Sequence, residues 1–592
     1  MTDAAPNNDR PSITRILGPW RATLLSGLLF AASHPPFDFG PLILVAFVPW
    51  LLSLERFKTT RSAILAGWCA GFLVYLLGLF YISQMPSLGG DSPITMYAMW
   101  VFISALLAVV FAAFSGVARF VASRVPRPWF VLLIPLLWTG FEFCHYYYPA
   151  PGPLMMTGHA LHQVPVLIQI ADLGSVHLVA FFIVLVNTCV FLWLDGRRRR
   201  VRSAECGVRS GKEDESASQD VNLQRLAIWA LVIAFIVNIA YGSLRLYTLI
   251  PAIKDDGPLV AVIQPNIEQE LKETRTEAAR LEQFNRLRTL TGEALRYTPD
   301  LILWPETGYP WPINPRNPSS YDDLSRLASS IQTPMVVGAV APLLEEDRKH
   351  YPYLTDRDAQ LAWFNSGVYV GADGELFGRH DKAHLVPGGE YIPYRGTPLG
   401  DLVTDYARTL MGAVPEFLPG YRRDTFTLTD GMGRDWRFSM NICYEYWFPQ
   451  LYGELHQPEN VHFAVNLSNE VWYRQLAELD QALIGVKFRA IESRTTFVRA
   501  TNDGISAVID PLGNVRRTLT VDGKDRGVGG VMNVVLPVIE NPEPTISLQA
   551  GMWVGWITMP LSLVIMVVSW VAWLRTRLRG NRDRTKVDAR PI

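Results

Sequence analysis

Apolar residues run in long blocks through the first ~250 positions and the last ~45, and between them short β-branched runs alternate with amphipathic stretches. Segments long enough to cross a bilayer, or nearly so, fall at roughly 16–33, 40–54, 63–82, 95–121, 128–145, 177–194, 226–249 and 551–574, which predicts about eight crossings. The first two are short and are joined by "SHPPFDFGP", whose prolines interrupt a helix, so they form a tight helical hairpin or a re-entrant pair. Either way the chain returns to its starting side. Basic residues ahead of a modest apolar run ending in "AAS" also fit a cleavable signal peptide, but the proline-rich turn leads straight into another apolar segment. Ahead of the seventh span, "SAECGVRSGKEDESASQDVNLQ" is polar and poor in bulky residues, which predicts a flexible cytoplasmic linker near 201–224.

Lys and Arg orient these segments, because they collect in short loops on the cytoplasmic side. Arg10, Arg15 and Arg21 precede or open the first span, "ERFKTTR" follows the second, Arg119, Arg124 and Arg127 follow the fourth, "GRRRRVR" the sixth and "RTRLRGNRDRTK" the last. The intervening loops "SHPPFDFG", "SQMPSLGGDSP" and "HYYYPAPGP" hold almost none. Both termini are therefore expected in the cytoplasm, with the block between the seventh and eighth spans exported. Placing that block in the cytoplasm requires a miscounted span and every basic cluster on the wrong side. The expected organisation is a transmembrane domain over 1–255 with about seven spans, a soluble domain over 256–542, and a transmembrane helix with a basic tail over 543–592.

Within the soluble block, "LVAVIQPN", "DLILWPE", "PMVVGAV", "AWFNSGVYV", "WRFSMNIC", "VHFAVNLS", "TTFVRAT" and "ISAVIDP" read as strands. Several lack polar alternation, as strands covered on both faces do. "TRTEAARLEQFNRLRTLTGEALRY" and "AELDQALIGVKFRAIES" read as amphipathic helices, and "VYVGADGELFGRHD" as a hairpin turning at Asp373-Gly374. The fold class is a multi-pass α-helical membrane domain joined to a layered α/β domain with buried sheets.

Composition removes some functions. With 54 basic and 55 acidic residues there is no nucleic-acid footprint. Cys69, Cys144 and Cys189 lie in or beside apolar runs, Cys206 in the polar linker, and Cys443 alone in the soluble block. No CxxC pair or regular His/Cys spacing occurs, so neither a disulfide framework nor a zinc site is expected, and no metal or cofactor is called for. An unpaired thiol in an exported block then needs a reason. Three stretches place a reactive side chain just past a strand: "LILWPETGYP" presents Glu306, "FGRHDKAHLVPGGEYIPY" presents Lys382 and Glu390, and "FSMNICYEYWFP" presents Cys443. Brought together, a thiol, a carboxylate and an ammonium form a nucleophile, its proton acceptor and an oxyanion-stabilising cation. Taken singly, each also fits a dull role: a buried inert thiol, a helix-cap carboxylate, a solvated lysine.

In order and in this setting, "WPE", "DKAHLVPGGEYIP" and "NICYE" resemble the nitrilase (carbon–nitrogen hydrolase) superfamily. That resemblance implies an αββα sandwich and a Glu-Lys-Cys triad. With a multi-span N-terminal region and one C-terminal span, nearly the whole chain is similar to the apolipoprotein N-acyltransferase family, through "VAVIQPNI", "NLSNEVWY" and "RAIESRTTFVRATNDGISAVIDPLGN" as well. The resemblance implies Cys443 as nucleophile, Glu306 as general base and acid, Lys382 as oxyanion stabiliser, and Glu390 as a second glutamate positioning the lysine. Tyr444, Glu445, Asn469 and Trp472 match supporting positions, with the Tyr444 N–H expected to join Lys382 at the oxyanion and a Cys443 thiolate expected at neutral pH.

The chain departs from the family pattern twice: "EVWYRQ" follows Asn469 where an Asp and Trp-Phe-Gly are common, and "QELKET" stands where a Trp is often found. The loop "PYRGTPLGDLVTDYARTLMGAVPEFLPG" is expected to dip into the bilayer surface or to form an ordinary lid. The implied activity is ping-pong transfer of an acyl chain from a phosphatidylethanolamine-like phospholipid, through a cysteine thioester, to the N-terminal diacylglyceryl-cysteine of an apolipoprotein. It implies a bacterial inner-membrane enzyme with an exported, periplasmic catalytic domain. The alternatives are a membrane-tethered amidase or nitrilase and a non-catalytic lipid-binding relative.

Overall fold

The computed structural model describes residues 13–86, 93–148, 152–205, 211–274, 276–352, 354, 356–360, 362–391, 394, 397, 398, 400, 417–456 and 461–587. Helix α1, Ile13–Ala32, is interrupted at Gly18, where φ is 64°. After the turn the chain returns through two short pieces, Ile43–Ala46 and Val48–Ser53, the second opened by Pro49. The Trp50 N–H donates to Ser26 Oγ at 2.9 Å, and Thr23 Oγ1 lies 2.9 Å from Ser53 Oγ, so the two limbs close as a hairpin. Neither limb is a long span. Six helices among the described residues are long and apolar enough to cross a membrane, against the eight segments expected. The kink at Gly18 and the prolines of the return limb account for the difference.

Those six are α2 (Thr60–Gly78), α3 with α4 (Pro93–Leu107 and Val109–Arg124, divided at Ala108), α5 (Phe130–Phe143 with its 3-10 extension), α6 (Ala171–Glu205), α7 (Gly211–Leu249) and α11 (Trp553–Val587). The flexible linker expected near 201–224 is largely helix: α6 runs to Glu205 and α7 starts at Gly211, while residues 206–210 lie outside the described residues. Polar composition there solvates helix ends rather than melting them, because α6 and α7 pack on each other. Leu223 is buried, and Gln224 Nε2 donates to the Trp193 carbonyl at 3.1 Å.

The loops predicted to share a side meet at one end of the bundle. Arg127 pairs with Glu55 and with Asp195 (3.3 Å), Arg199 pairs with Asp195, and an Arg119 guanidinium nitrogen donates to the Leu54 carbonyl at 2.6 Å. The soluble domain sits at the other end. Gln481 Nε2 donates to the Gly78 carbonyl at 2.9 Å, and Lys487 Nζ to the His162 carbonyl at 3.0 Å.

That domain is two six-stranded sheets face to face. Sheet one has the order β12-β1-β2-β3-β4-β5, from β1 Leu259–Gln264, β2 Leu301–Trp304, β3 Met335–Pro342, β4 Trp363–Val370, β5 Leu376–Asp381 and β12 Gly530–Val535. Sheet two runs β11-β10-β9-β8-β7-β6, from β6 Thr425–Thr429, β7 Asp435–Ile442, β8 Phe463–Ser468, β9 Thr496–Thr501, β10 Ala507–Ile509 and β11 Val515–Thr518. In each, three parallel strands (β1–β3, β7–β9) are flanked by antiparallel ones. Val262, Leu303, Val336, Phe438, Val465 and Val498 fill the space between the sheets.

Helices α8 (Glu277–Ala294) and α9 (Asp322–Ile331) cover the outer face of sheet one through Phe284, Leu287, Leu324 and Ala328. Helix α10 (Ala477–Ser493) covers sheet two. Its buried residues, with Tyr446, Trp447, Phe448 and Tyr452, join one continuous apolar cluster with the membrane helices. The α layer over sheet two is therefore shared with the transmembrane domain, giving an αββα sandwich docked side-on.

A buried ion-pair network closes this dock. Asp172, at the start of α6, accepts from Arg494 at 2.8 Å, from Arg245 of α7 at 2.6 Å and from Tyr241 Oη at 2.7 Å. Arg494 also donates to Gln169 Oε1 and to the Pro511 carbonyl. Removing one partner of a buried pair leaves the other charge uncompensated, a cost of about 3 kcal/mol. Arg494→Met is therefore expected to lower the thermal unfolding midpoint of the detergent-solubilised protein and to expose the soluble domain to limited proteolysis. An unchanged midpoint and digestion pattern would show that apolar packing alone holds the dock.

Candidate active site

Strand β7 ends at Ile442, and Cys443 turns the chain through a left-handed conformation (φ 48°) into the 3-10 turn Cys443–Trp447. A non-glycine residue there costs on the order of 1 kcal/mol and persists where neighbours over-determine it. Glu445 does so. Its buried carboxylate accepts from the N–H of Ile442 at 2.7 Å and of Ala383 at 2.6 Å, and lies 3.0 Å from His380 Nε2. One side chain thus fastens the cysteine turn to the strand end that carries Lys382. Burial pushes this carboxyl up, but the His380 pair and the amide donors outweigh it and hold it at about 2.

Glu306 follows β2. Gly338 on the neighbouring β3 lets this turn pass close, since a Cβ there would stand 2.6 Å from Glu306 Cα and 2.3 Å from the Pro305 carbonyl oxygen. Glu306 Oε1 accepts from Asn365 Nδ2 at 2.7 Å and Lys382 Nζ at 3.2 Å, and Oε2 accepts from the Asn469 N–H at 2.8 Å. Lys382, directly after β5, also donates to Glu390 Oε1 at 3.0 Å. Glu390 Oε1 accepts from Asn365 Nδ2 at 2.9 Å, and its Oε2 from the Val386 N–H at 2.8 Å. Lys382 and Asn365 therefore bridge the two carboxylates.

Glu306, Lys382, Glu390, Cys443, Asn469 and Trp472 line one cavity of about 690 Å³. Tyr444 and Glu445 are not among its lining residues. Tyr444 packs on Phe448 with ring centroids 5.4 Å apart, and Glu445 acts through the fastening just described. Asn469 Oδ1 accepts from Asn502 Nδ2 at 3.0 Å, and Glu470 pairs with the buried Arg499, so "EVWYRQ" is anchored by its own ion pair. Trp472 lies in the turn Val471–Tyr473, and Tyr473 meets Tyr81 of the membrane domain edge to face at 5.4 Å. Most of the proline-rich loop over 393–420 lies outside the described residues, so its dip-or-lid expectation stays open.

Burial opposes the charge on Lys382, but Glu306 and Glu390 outweigh it and hold the ammonium well above the ordinary lysine range. Cys443 behaves otherwise than expected. Burial and the neighbouring Glu306 carboxylate outweigh Lys382 and a hydrogen bond with Ser468, and push the thiol up to about 12. The expected resting thiolate is thus replaced by a thiol whose proton must leave during attack. Each proton on Lys382 has a place: two N–H bonds go to Glu306 and Glu390, and the third remains for an oxyanion.

Asn365 and Ser468 were absent from the residues picked out by motif. The signal for Asn365 is a polar side chain inside the apolar strand "WFNSGVYV", which a buried strand does not carry without a partner.

A family model described as the apolipoprotein N-acyltransferase N-terminal domain matches residues 26–189, and one described as carbon-nitrogen hydrolase matches 259–525. The chain is similar to proteins named apolipoprotein N-acyltransferase from Geobacter metallireducens (29% identity, 83% of this chain and 85% of that one) and Agrobacterium fabrum (26% identity, 87% and 89%). Among solved structures, an amidase from Nesterenkonia sp. aligns over 48% of this chain and 92% of its own, with 16% identity and a TM-score of 0.33.

Only the thiolate alkylates, so a thiol held near 12 gives an alkylation rate that rises about tenfold per pH unit between pH 7 and 10. Mass-spectrometric rates of iodoacetamide addition at Cys443, with Cys443→Ala as the blank, check this. A plateau near pH 7 would contradict it.

Proposed function

The chain belongs to the apolipoprotein N-acyltransferase family, and on that premise we propose the route by which it N-acylates lipoproteins, with Cys443 as the acyl carrier. The donor is a membrane phospholipid and the acceptor is the diacylglyceryl-cysteine at a lipoprotein N-terminus. The observation that carries this reading is the position of the cavity. Met85, just past the end of the α2 span, lines it together with Cys443, Glu306 and Lys382. A thiol walled partly by the membrane domain suits substrates that stay anchored in a leaflet. A water-soluble amide needs no such wall.

In the first half-reaction the Cys443 sulfur attacks the ester carbonyl as its proton passes to Glu306. Negative charge on the carbonyl oxygen is met by the free Lys382 N–H and the Tyr444 backbone N–H, each on the order of 3 kcal/mol in comparable sites. Collapse breaks the C–O bond, and Glu306 returns the proton to the departing glycerol oxygen, leaving lysophospholipid and a thioester. In the second half-reaction the lipoprotein amine attacks the thioester, Glu306 takes a proton from nitrogen, and the thiol leaves reprotonated. Asn365, Glu390 and the Asn469 N–H keep the Glu306 carboxylate aimed through both halves.

The positive-inside pattern supports an orientation with the catalytic domain on the exported, periplasmic side of the bacterial inner membrane and both termini cytoplasmic. The soluble block accordingly occupies the bundle end opposite the Arg127, Arg199 and Glu55 cluster.

Incubation of the solubilised enzyme with phospholipid and a diacylglyceryl-cysteine peptide is expected to yield one N-acylated peptide per lysophospholipid, and neither product from Cys443→Ala. Free fatty acid matching the lysophospholipid, with the peptide unchanged, would mean that water is the second nucleophile and would favour the hydrolase reading.

A further inference from the structure

One wall of the cavity has a use that the triad does not supply. Lys272, at the end of the short helix Gln269–Glu273, and Arg280, in the first turn of α8, both line it. Lys272 is half-buried and donates to Thr307 Oγ1 at 3.3 Å, next in sequence to Glu306. Neither Lys272 nor Arg280 has a carboxylate within ion-pair distance among the described residues. Glu277, one turn before Arg280, accepts from the Trp311 indole at 3.3 Å. Gln283 Nε2 donates to the Leu271 carbonyl at 3.0 Å, tying the segment that carries Lys272 to α8. Two cations are thus held on one wall, neither in an ion pair among the described residues. Burial lowers Lys272 to about 8, against the weaker pull of Glu306 and Asp503, the mark of a cation short of a partner.

We propose that Lys272 and Arg280 form a phosphodiester subsite that seats the headgroup phosphate of the donor lipid while its ester lies against Cys443. The proposal rests on the acyltransferase reading and names how that reaction selects its donor. A phosphate supplies the missing anion to both cations and accepts charge-assisted hydrogen bonds from each. The start of α8, with Thr276 as its N-cap, adds a positive field in the same direction. Met85, Tyr309, Trp311 and Trp363 also line the cavity and offer an apolar surface for the chain to be transferred. The wall therefore favours the phosphate-bearing donor in the first half-reaction, and the acceptor, which carries no phosphate, does not use it in the second.

The test uses the full-length enzyme in detergent, as wild type, Lys272→Met, Arg280→Gln and the double variant. Cysteine acylation by a phospholipid is compared with acylation by a diacylglycerol of the same chains, in single turnovers. The expected result is a loss in the phospholipid arm that exceeds the loss in the diacylglycerol arm by about tenfold for each substitution. Equal losses in both arms, or no loss in the phospholipid arm, would overturn the proposal. Binding of a non-reactive diether phospholipid is measured in parallel and is expected to weaken about tenfold in each variant. That arm needs no chemistry, so it judges the subsite even where wild type forms no acyl-enzyme, a failure that belongs to the acyltransferase reading. Unchanged diether binding in the double variant would overturn the subsite.

Discussion

A buried ammonium is tolerable only where anions surround it, and the site is built around that condition at Lys382. With 1% of its surface exposed, its charge is met by Glu306 and Glu390, which Asn365 joins from the other side. The arrangement has two consequences. The ammonium stays charged and keeps one N–H free for a developing oxyanion. Burial, joined by the same carboxylate that compensates the ammonium, keeps the Cys443 thiol protonated until a substrate arrives. A resting thiol is less exposed to oxidation than a thiolate, which suits the proposed acyl carrier, the one cysteine of its domain.

The second constraint is the dock. Helix α10 serves two masters, packing on sheet two with one face and on the membrane helices with the other. Glu492, held by Arg489, also accepts from Ser175, and Arg494, just past the end of α10, reaches Asp172 and Gln169 at the start of α6. Because Cys443 lies in the turn beneath the same aromatic cluster, the distance of the thiol from the bilayer is set by this packing. Tyr446, Trp447 and Phe448 are buried in it.

Much of this was legible in the sequence because the chemistry and the fold share signals. The parallel strands of both sheets are largely apolar, buried runs, and Glu306 and Cys443 each follow one, whereas Lys382 follows the antiparallel edge strand "LFGRHD" and was reached through the hairpin that precedes it. The outer strands were less visible. "TFTLT", "VRRT" and "GVMNVV" are short edge strands whose polar or exposed positions dilute the pattern. The first apolar pair was expected as a tight hairpin or a re-entrant pair from the prolines between its limbs, and only the Gly18 kink that shortens the first limb was invisible to hydropathy. Asn365 was hidden by lying in a strand rather than after one. The state of the thiol could not be read from motif spacing, since it depends on how the burial of Cys443 and the Glu306 charge balance against Lys382.

The account stands on Cys443 carrying the acyl group, which intact-mass spectrometry of the enzyme after incubation with phospholipid alone measures directly. The predicted result is a gain of one acyl chain on wild type, released by hydroxylamine and missing from Cys443→Ala. An adduct of the same mass on the Cys443→Ala protein would place the acyl group elsewhere and contradict the mechanism.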